Sequence, residues 1–156
     1  GSQENGLRAG TLNVPLIVGM ATALKIVTAS RSQDNRKMRI LRNKLIKSIL
    51  DTIPESHLTG HSTYRLPNNA SFVFKGIDGN ELIMHLDLSN IAASSGSACK
   101  TGNPEPSNVL RALAIPPQLS NGSLRLSIGR HTNDSDIEYV QQVLPTVISN
   151  MRDNLQ

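Results

Sequence analysis

The chain carries one cysteine, Cys99, within Ser94-Ser95-Gly96-Ser97-Ala98-Cys99-Lys100-Thr101-Gly102-Asn103, with glycine three places away on either side. As a thiolate, cysteine is a strong nucleophile, and an adjacent cation such as Lys100 favours that form. A lone cysteine also serves as a small buried hydrophobe with no chemical role. The serines, glycines and alanine around Cys99 offer no large apolar partner, which turns the reading toward a reactive thiol. No histidine lies close in sequence, so a cysteine–histidine dyad is not indicated, and any base must come from the fold or from a cofactor.

The second candidate is Arg125, in Ser123-Leu124-Arg125-Leu126-Ser127-Ile128-Gly129. The alternation predicts a strand with Leu124, Leu126 and Ile128 on one side and Arg125 on the other. A guanidinium held on such a strand can grip a carboxylate through two parallel hydrogen bonds. The same pattern also describes a half-exposed strand with a surface charge, and Arg130 competes for the role. His57 and His61 have the spacing of two metal ligands on one helix face, but Pro54, Gly60, Pro67, Asn68 and Asn69 make this stretch a loop with at most a short strand, and no metal site is expected. His85, inside a predicted helix, reads as structural. No lysine sits in the apolar setting that suits Schiff-base chemistry.

The elements that must position these residues follow from periodicity. Leu12 to Thr28 is almost continuously apolar and predicts a helix buried on most sides, with Pro15 in its first turn; it is too short and too polar to cross a bilayer. Beyond it, Met38, Leu41, Leu45 and Ile49 continue at helical spacing as far as Pro54, with Ser30 to Asn35 the expected place for a break. Ala70 to Phe74 alternates as a strand. Asp78 and Glu81 form a capping box for a helix to about Asp87, with Leu82, Ile83, Leu86 and Met84 as its apolar face. Ile91-Ala92-Ala93 is expected to be a short strand. Pro106 is placed in the first turn of a helix that buries Val109, Leu110 and Leu113 and ends at Pro116-Pro117. Thr132 to Asp136 caps a terminal helix that Pro145 should bend. The sum is α+β: a three- to four-stranded sheet covered on one side by helices, with a long N-terminal helix.

At 156 residues the chain fits one domain. A single cysteine permits no internal disulfide, so nothing argues for an oxidising compartment and a cytoplasmic protein is expected; the sequons at Asn69, Asn121 and Asn133 then carry little meaning. Seven basic residues between Arg31 and Lys47 face a single acid, Asp34. They could touch phosphates, but no aromatic residue interleaves to stack on bases, and a solvated helix face is the expectation. Gly76-Ile77-Asp78-Gly79 falls short of either nucleotide-binding glycine pattern.

Four segments, read in order, carry a resemblance: Gln3-Glu4-Asn5-Gly6-Leu7-Arg8-Ala9-Gly10-Thr11-Leu12-Asn13-Val14-Pro15; Ser94 to Cys99; Glu105-Pro106-Ser107-Asn108-Val109-Leu110-Arg111-Ala112-Leu113; and Leu124 to Arg130. Together they resemble the cysteine desulfurases of the NifS/IscS-like branch, class V members of the fold-type I pyridoxal phosphate enzymes, over essentially the whole chain. The resemblance implies that Cys99 attacks the sulfur of substrate L-cysteine and becomes a persulfide, that Arg125 holds the substrate carboxylate, and that Thr11 contacts the phosphate of pyridoxal 5'-phosphate in the neighbouring subunit of a homodimer. It further implies a sulfur acceptor or iron–sulfur scaffold protein as partner. The expected organisation is a lead-in segment, 1–11, left from a large domain, followed by the C-terminal small domain, 12–156, carrying the catalytic loop 94–106. The family's aldimine lysine lies upstream of the matching region, so this chain reads as an excised domain, inactive alone, with Gly1-Ser2 as a cloning remnant. Two rivals stand beside this reading: a C–S or selenocysteine lyase domain, and a non-catalytic binding module using Arg31 to Lys47.

Overall fold

In the computed structural model of the chain, residues 2–96 and 107–154 are described. Cys99, Lys100 and Pro106 lie outside them. The chain divides into two units, Gly1–Asp34 and Asn35–Gln156.

In the first unit, β1 (Ser2–Gln3) and β2 (Arg8–Ala9) pair antiparallel around a 3-10 turn at Glu4–Gly6. The helix α1 (Val14–Thr52) then begins, with the Asn13 side chain accepting the Leu16 N–H at 3.2 Å. This satisfies one of the donors that a helix start leaves orphaned. Two expectations are corrected here. The break at Ser30 to Asn35 is absent, because Ser30 bonds within the helix, to the Ile26 carbonyl at 3.3 Å and to the Asp34 carboxylate at 2.6 Å. The apolar run is also not buried: Leu16, Ile17, Val18, Met20 and Leu24 are all exposed. Adjacent residues turn by about 100° around a helix axis, so a run this continuous surrounds the axis and no single packed face can cover it. With the helix unbroken, α1 contains a stretch long and apolar enough to cross a membrane by length and composition alone, so the exclusion argued from shortness falls.

The second unit holds the sheet. β3 (Ser56–Leu58), β4 (Asn69–Phe74) and β5 (Ser123–Ser127) form an antiparallel sheet with β4 in the centre. One face of it, with Ala70, Phe72, Phe74, Leu124 and Leu126, packs on Leu41, Leu45 and Ile49 of α1. The same core takes Leu82 and Leu86 from α2 (Gly79–Leu88), and Ile137, Leu144, Ile148 and Met151 from α5 (Asp134–Asp153). Each such side chain contributes roughly 1.5–3 kcal/mol by leaving water. The α+β expectation, with three strands and a long N-terminal helix, therefore holds.

The caps are where the sequence puts them, except that the capping box expected of Asp78 and Glu81 is one-sided, with no return bond to the Glu81 carboxylate among the described residues. Asp78 accepts the N–H groups of Asn80 and Glu81 at 2.8 and 3.1 Å, and Asn133 with Asp136 forms a reciprocal capping box. The helix α5 passes through Pro145 as a single element. Met84, expected on the apolar face of α2, is exposed.

Residues 91–93 form no strand: Ile91 donates its N–H to Leu86 at the end of α2, and pairing begins only at Ser94. The third helix, α3 (Asn108–Ala112), stops short of the double proline. Pro117 instead opens a further short helix, α4 (Pro117–Ser120), which the sequence reading missed.

Candidate active site

The face of the sheet turned away from the core is largely polar, with Val73 as a buried apolar exception. Opposite Leu124 and Leu126, β5 presents Ser123 and Arg125, and Arg125 pairs in register with Ser71 of β4. Thr59, just beyond β3, donates its hydroxyl to that of Ser71 at 2.8 Å. Over this floor lies a pocket of about 340 Å³, closed on one side by Val109, Leu110 and Leu113 of α3 and its C-cap, and on another by the loop from Gly60 to Asn69. Leu110 is buried, but Val109 and Leu113 are exposed. The expectation that all three bury is corrected, since Val109 and Leu113 border the open pocket.

Arg125 is the cation of the pocket floor. Its backbone exchanges two hydrogen bonds with Ser94, and its side chain donates from Nη1 to the Gly96 carbonyl at 3.4 Å. It forms no ion pair among the described residues. Gly96 has φ of 65°, a conformation that favours glycine. A Cβ placed on Gly96 would lie 3.6 Å from that of Ser107, and both residues line the pocket. Ser95 fixes the same corner by donating to Asn80 Oδ1 at 2.8 Å. Arg130, the competing arginine, is not among the lining residues, and its carbonyl accepts from Lys37 Nζ at 3.2 Å.

The loop wall was not anticipated from sequence. Arg65 donates to three carbonyls, of Thr59 at 2.6 Å, His61 at 2.9 Å and Asn69 at 3.4 Å, and so gathers the loop around itself. Burial, with nearby Arg42 adding repulsion, lowers its pKa from the ordinary arginine value. His61 Nδ1 accepts the N–H groups of Thr63 and Tyr64, each at 3.1 Å. A neutral ring with Nδ1 accepting carries its proton on Nε2. Tyr64 lies against this ring, with centroids 4.7 Å apart. The available signal was one arginine in a proline- and glycine-punctuated stretch, 59–69, containing no acid. His57 lies on β3 and His61 in the loop, so the two do not form a helical pair. His85 Nε2 lies 3.7 Å from Glu81 on α2.

Of the residues singled out for chemistry, Arg125 lines this pocket. Cys99 lies outside the described residues, three positions after Gly96. Thr11 belongs to the first unit, where it is exposed and its carbonyl, with that of Gly10, accepts from Arg8 Nη1 at 3.3 and 2.9 Å.

The lining residues include two guanidinium groups without a carboxylate partner among the described residues, Arg65 spent on loop carbonyls and Arg125 on the floor, with several hydroxyls and an apolar roof. This set suits a small ligand with a carboxylate at one end. Among the described residues the lining does not fit a pyridoxal cofactor: it holds no lysine to bind the aldehyde and no carboxylate to face the pyridine nitrogen.

The aminotransferase class-V family matches residues 2–140. The chain is 43% identical, over 152 residues and 97% of its length, to the cysteine desulfurase IscS of Methanosarcina thermophila. It is 41% identical, over 98% of its length, to cysteine desulfurase IscS of Clostridium botulinum. It spans 37% and 39% of those two proteins. Among solved structures, a NifS-like protein superposes with a TM-score of 0.83 at 29% identity, covering 96% of this chain and 38% of that one. A NifS-like protein from Rickettsia africae gives a TM-score of 0.82 at 26% identity, with the same coverage.

Proposed function

Because the chain belongs to the aminotransferase class-V family, we propose that it is the C-terminal small domain of a cysteine desulfurase, with Arg125 as substrate anchor and Cys99 as sulfur carrier. The family uses pyridoxal 5'-phosphate in general, and when bound that group supplies the electron sink for breaking the bond to sulfur. Since the described lining of the pocket does not fit the cofactor, the remainder of the parent is assigned to hold it, Thr11 excepted, which meets its phosphate across a homodimer.

The observation that carries this reading is the placement of Arg125. Its guanidinium faces a pocket sized for an amino acid, and its backbone and side chain both hold the root of the segment containing Cys99. Three residues of chain span at most about 11 Å, and on this reading the Cys99 thiol meets, within that span of Gly96, a ligand whose carboxylate Arg125 grips. In the proposed reaction a Cys99 thiolate attacks the substrate sulfur, an S–S bond forms as the C–S bond breaks, and the substrate carbon gains a proton to become alanine. The persulfide then passes to an acceptor or scaffold protein for iron–sulfur cluster or thio-cofactor synthesis, in the cytoplasm.

The test is to supply the full-length parent with L-cysteine and measure alanine and enzyme-bound sulfur together. Equal amounts in a single turnover are expected. Alanine with free sulfide and an unmodified enzyme would favour the lyase rival, and no alanine would reject both.

A further inference from the structure

A second concavity lies behind the loop that walls the candidate active site. It has a volume of about 470 Å³ and is lined by Arg39, Arg42, Asn43, Ser62, Thr63, Tyr64 and Arg65. Three of these seven residues are arginines and none is an acid. Among the described residues, every ion pair of the chain uses a lysine or a histidine as its cation, and none uses Arg39, Arg42 or Arg65.

That arrangement is unusual for Arg42, which is 4% exposed. Buried guanidinium groups are normally matched by a carboxylate, because taking a charge from water is costly. Arg42 instead meets only neutral acceptors, the Leu66 carbonyl at 2.8 Å and Asn43 Oδ1 at 3.1 and 2.8 Å. Desolvation and the neighbouring Arg39 both disfavour its charged form, and Arg42 in turn acts on Arg65. Three like charges therefore converge on one hollow with their mutual repulsion uncompensated. Arg39 is exposed and makes no hydrogen bond among the described residues, so its donors remain available.

We propose that this hollow is a binding site for a phosphate-class oxyanion, with Arg39 and Arg42 supplying the charge and the Ser62 hydroxyl a neutral donor. Guanidinium groups match the tetrahedral oxygens of such an anion in pairs, and hydroxyls complete its shell. The site is separate from the carboxylate anchor at Arg125, and nothing in it depends on the desulfurase reading. Tyr64 and Arg65 line both concavities. An anion on one side of the loop would therefore steady the wall on the other, linking oxyanion level to ligand binding in the first pocket.

Calorimetric titration of the 156-residue chain with inorganic phosphate, against sodium chloride at matched ionic strength, tests this, with sulfate as a second arm. Saturable heat with phosphate and none with chloride is expected. Sulfate binding alongside would assign the site to free tetrahedral oxyanions generally, and phosphate alone to phosphate. Arg39→Gln, at an exposed position, should keep its melting temperature in chloride and lose affinity by about tenfold or more, with Arg39→Lys between the two. Arg42→Gln is checked for folding by circular dichroism, and if folded should bind more weakly still. Phosphate heat no larger than that of chloride, or unchanged affinity in Arg39→Gln, would overturn the proposal.

Discussion

Ser94 and Arg125 are joined by two backbone hydrogen bonds, Arg125 N–H to the Ser94 carbonyl at 2.7 Å and Ser94 N–H to the Arg125 carbonyl at 3.2 Å. A single antiparallel bridge thus binds the start of the cysteine-bearing segment to the strand that presents the guanidinium. The side chain adds a third tie, to Gly96. One residue therefore has two duties, and its backbone duty survives a change of side chain.

This separation makes Arg125 testable. Arg125→Ala in the full-length parent leaves the bridge intact and removes only the guanidinium, so the melting temperature should move little. Loss of a charge-assisted hydrogen bond predicts a rise in KM for L-cysteine of roughly ten- to a hundredfold. An unchanged KM would show that another group holds the carboxylate.

The fold of the second unit makes its own prediction at Gly122. A Cβ there would sit 2.0 Å from the Phe74 carbonyl oxygen, far inside contact distance, while the Gly122 carbonyl accepts the Phe74 N–H at 2.9 Å. Backbone meets backbone, so no side chain can give way. Gly122→Ala should destabilise the chain by at least about 2 kcal/mol, read by urea denaturation. A change within error would mean that the turn before β5 relaxes freely.

Three surface ion pairs, one at Glu55 and two at Lys44, set opposite limits in pH. Hydrogen bonding to Lys75 lowers the pKa of Glu55, so its contribution is present above the ordinary carboxylate range and is lost as pH falls through the lowered value. Hydrogen bonds to Glu138 and Asp134 raise the pKa of Lys44, so its contribution is present below the ordinary lysine range and is lost as pH rises through the raised value. Melting temperature against pH should show both limbs. Glu55→Gln should flatten the acid limb and Lys44→Met the alkaline one, while leaving the opposite limb in place. Both groups are exposed, and the effects should shrink with added salt.

The parts of this molecule legible in sequence are those governed by local chemistry. Asp78 and Asn133 cap helices because their side chains reach N–H groups two or three residues away. Leu124, Arg125 and Leu126 alternate because the strand period leaves no other choice. The apolar run before Thr28 was misjudged because composition shows what wants cover and not whether cover is present. Pro116-Pro117 carries the sequence signal of a helix end, although proline in a first turn starts a helix as readily as it ends the preceding one, and Pro117 opens α4. The loop wall made by His61, Tyr64 and Arg65 was missed because it depends on Arg65 reaching carbonyls at Thr59, His61 and Asn69, and no periodicity marks such a clamp.

The central claim is that Cys99 carries sulfur taken from L-cysteine. Its most direct test is the mass of the Cys99 peptide from the full-length parent, incubated with L-cysteine, trapped by alkylation and digested. The account predicts a gain of one sulfur atom on that peptide, absent without substrate and absent in Arg125→Ala at low substrate. Sustained alanine production with the Cys99 peptide unmodified, and equal turnover by Cys99→Ala, would contradict it.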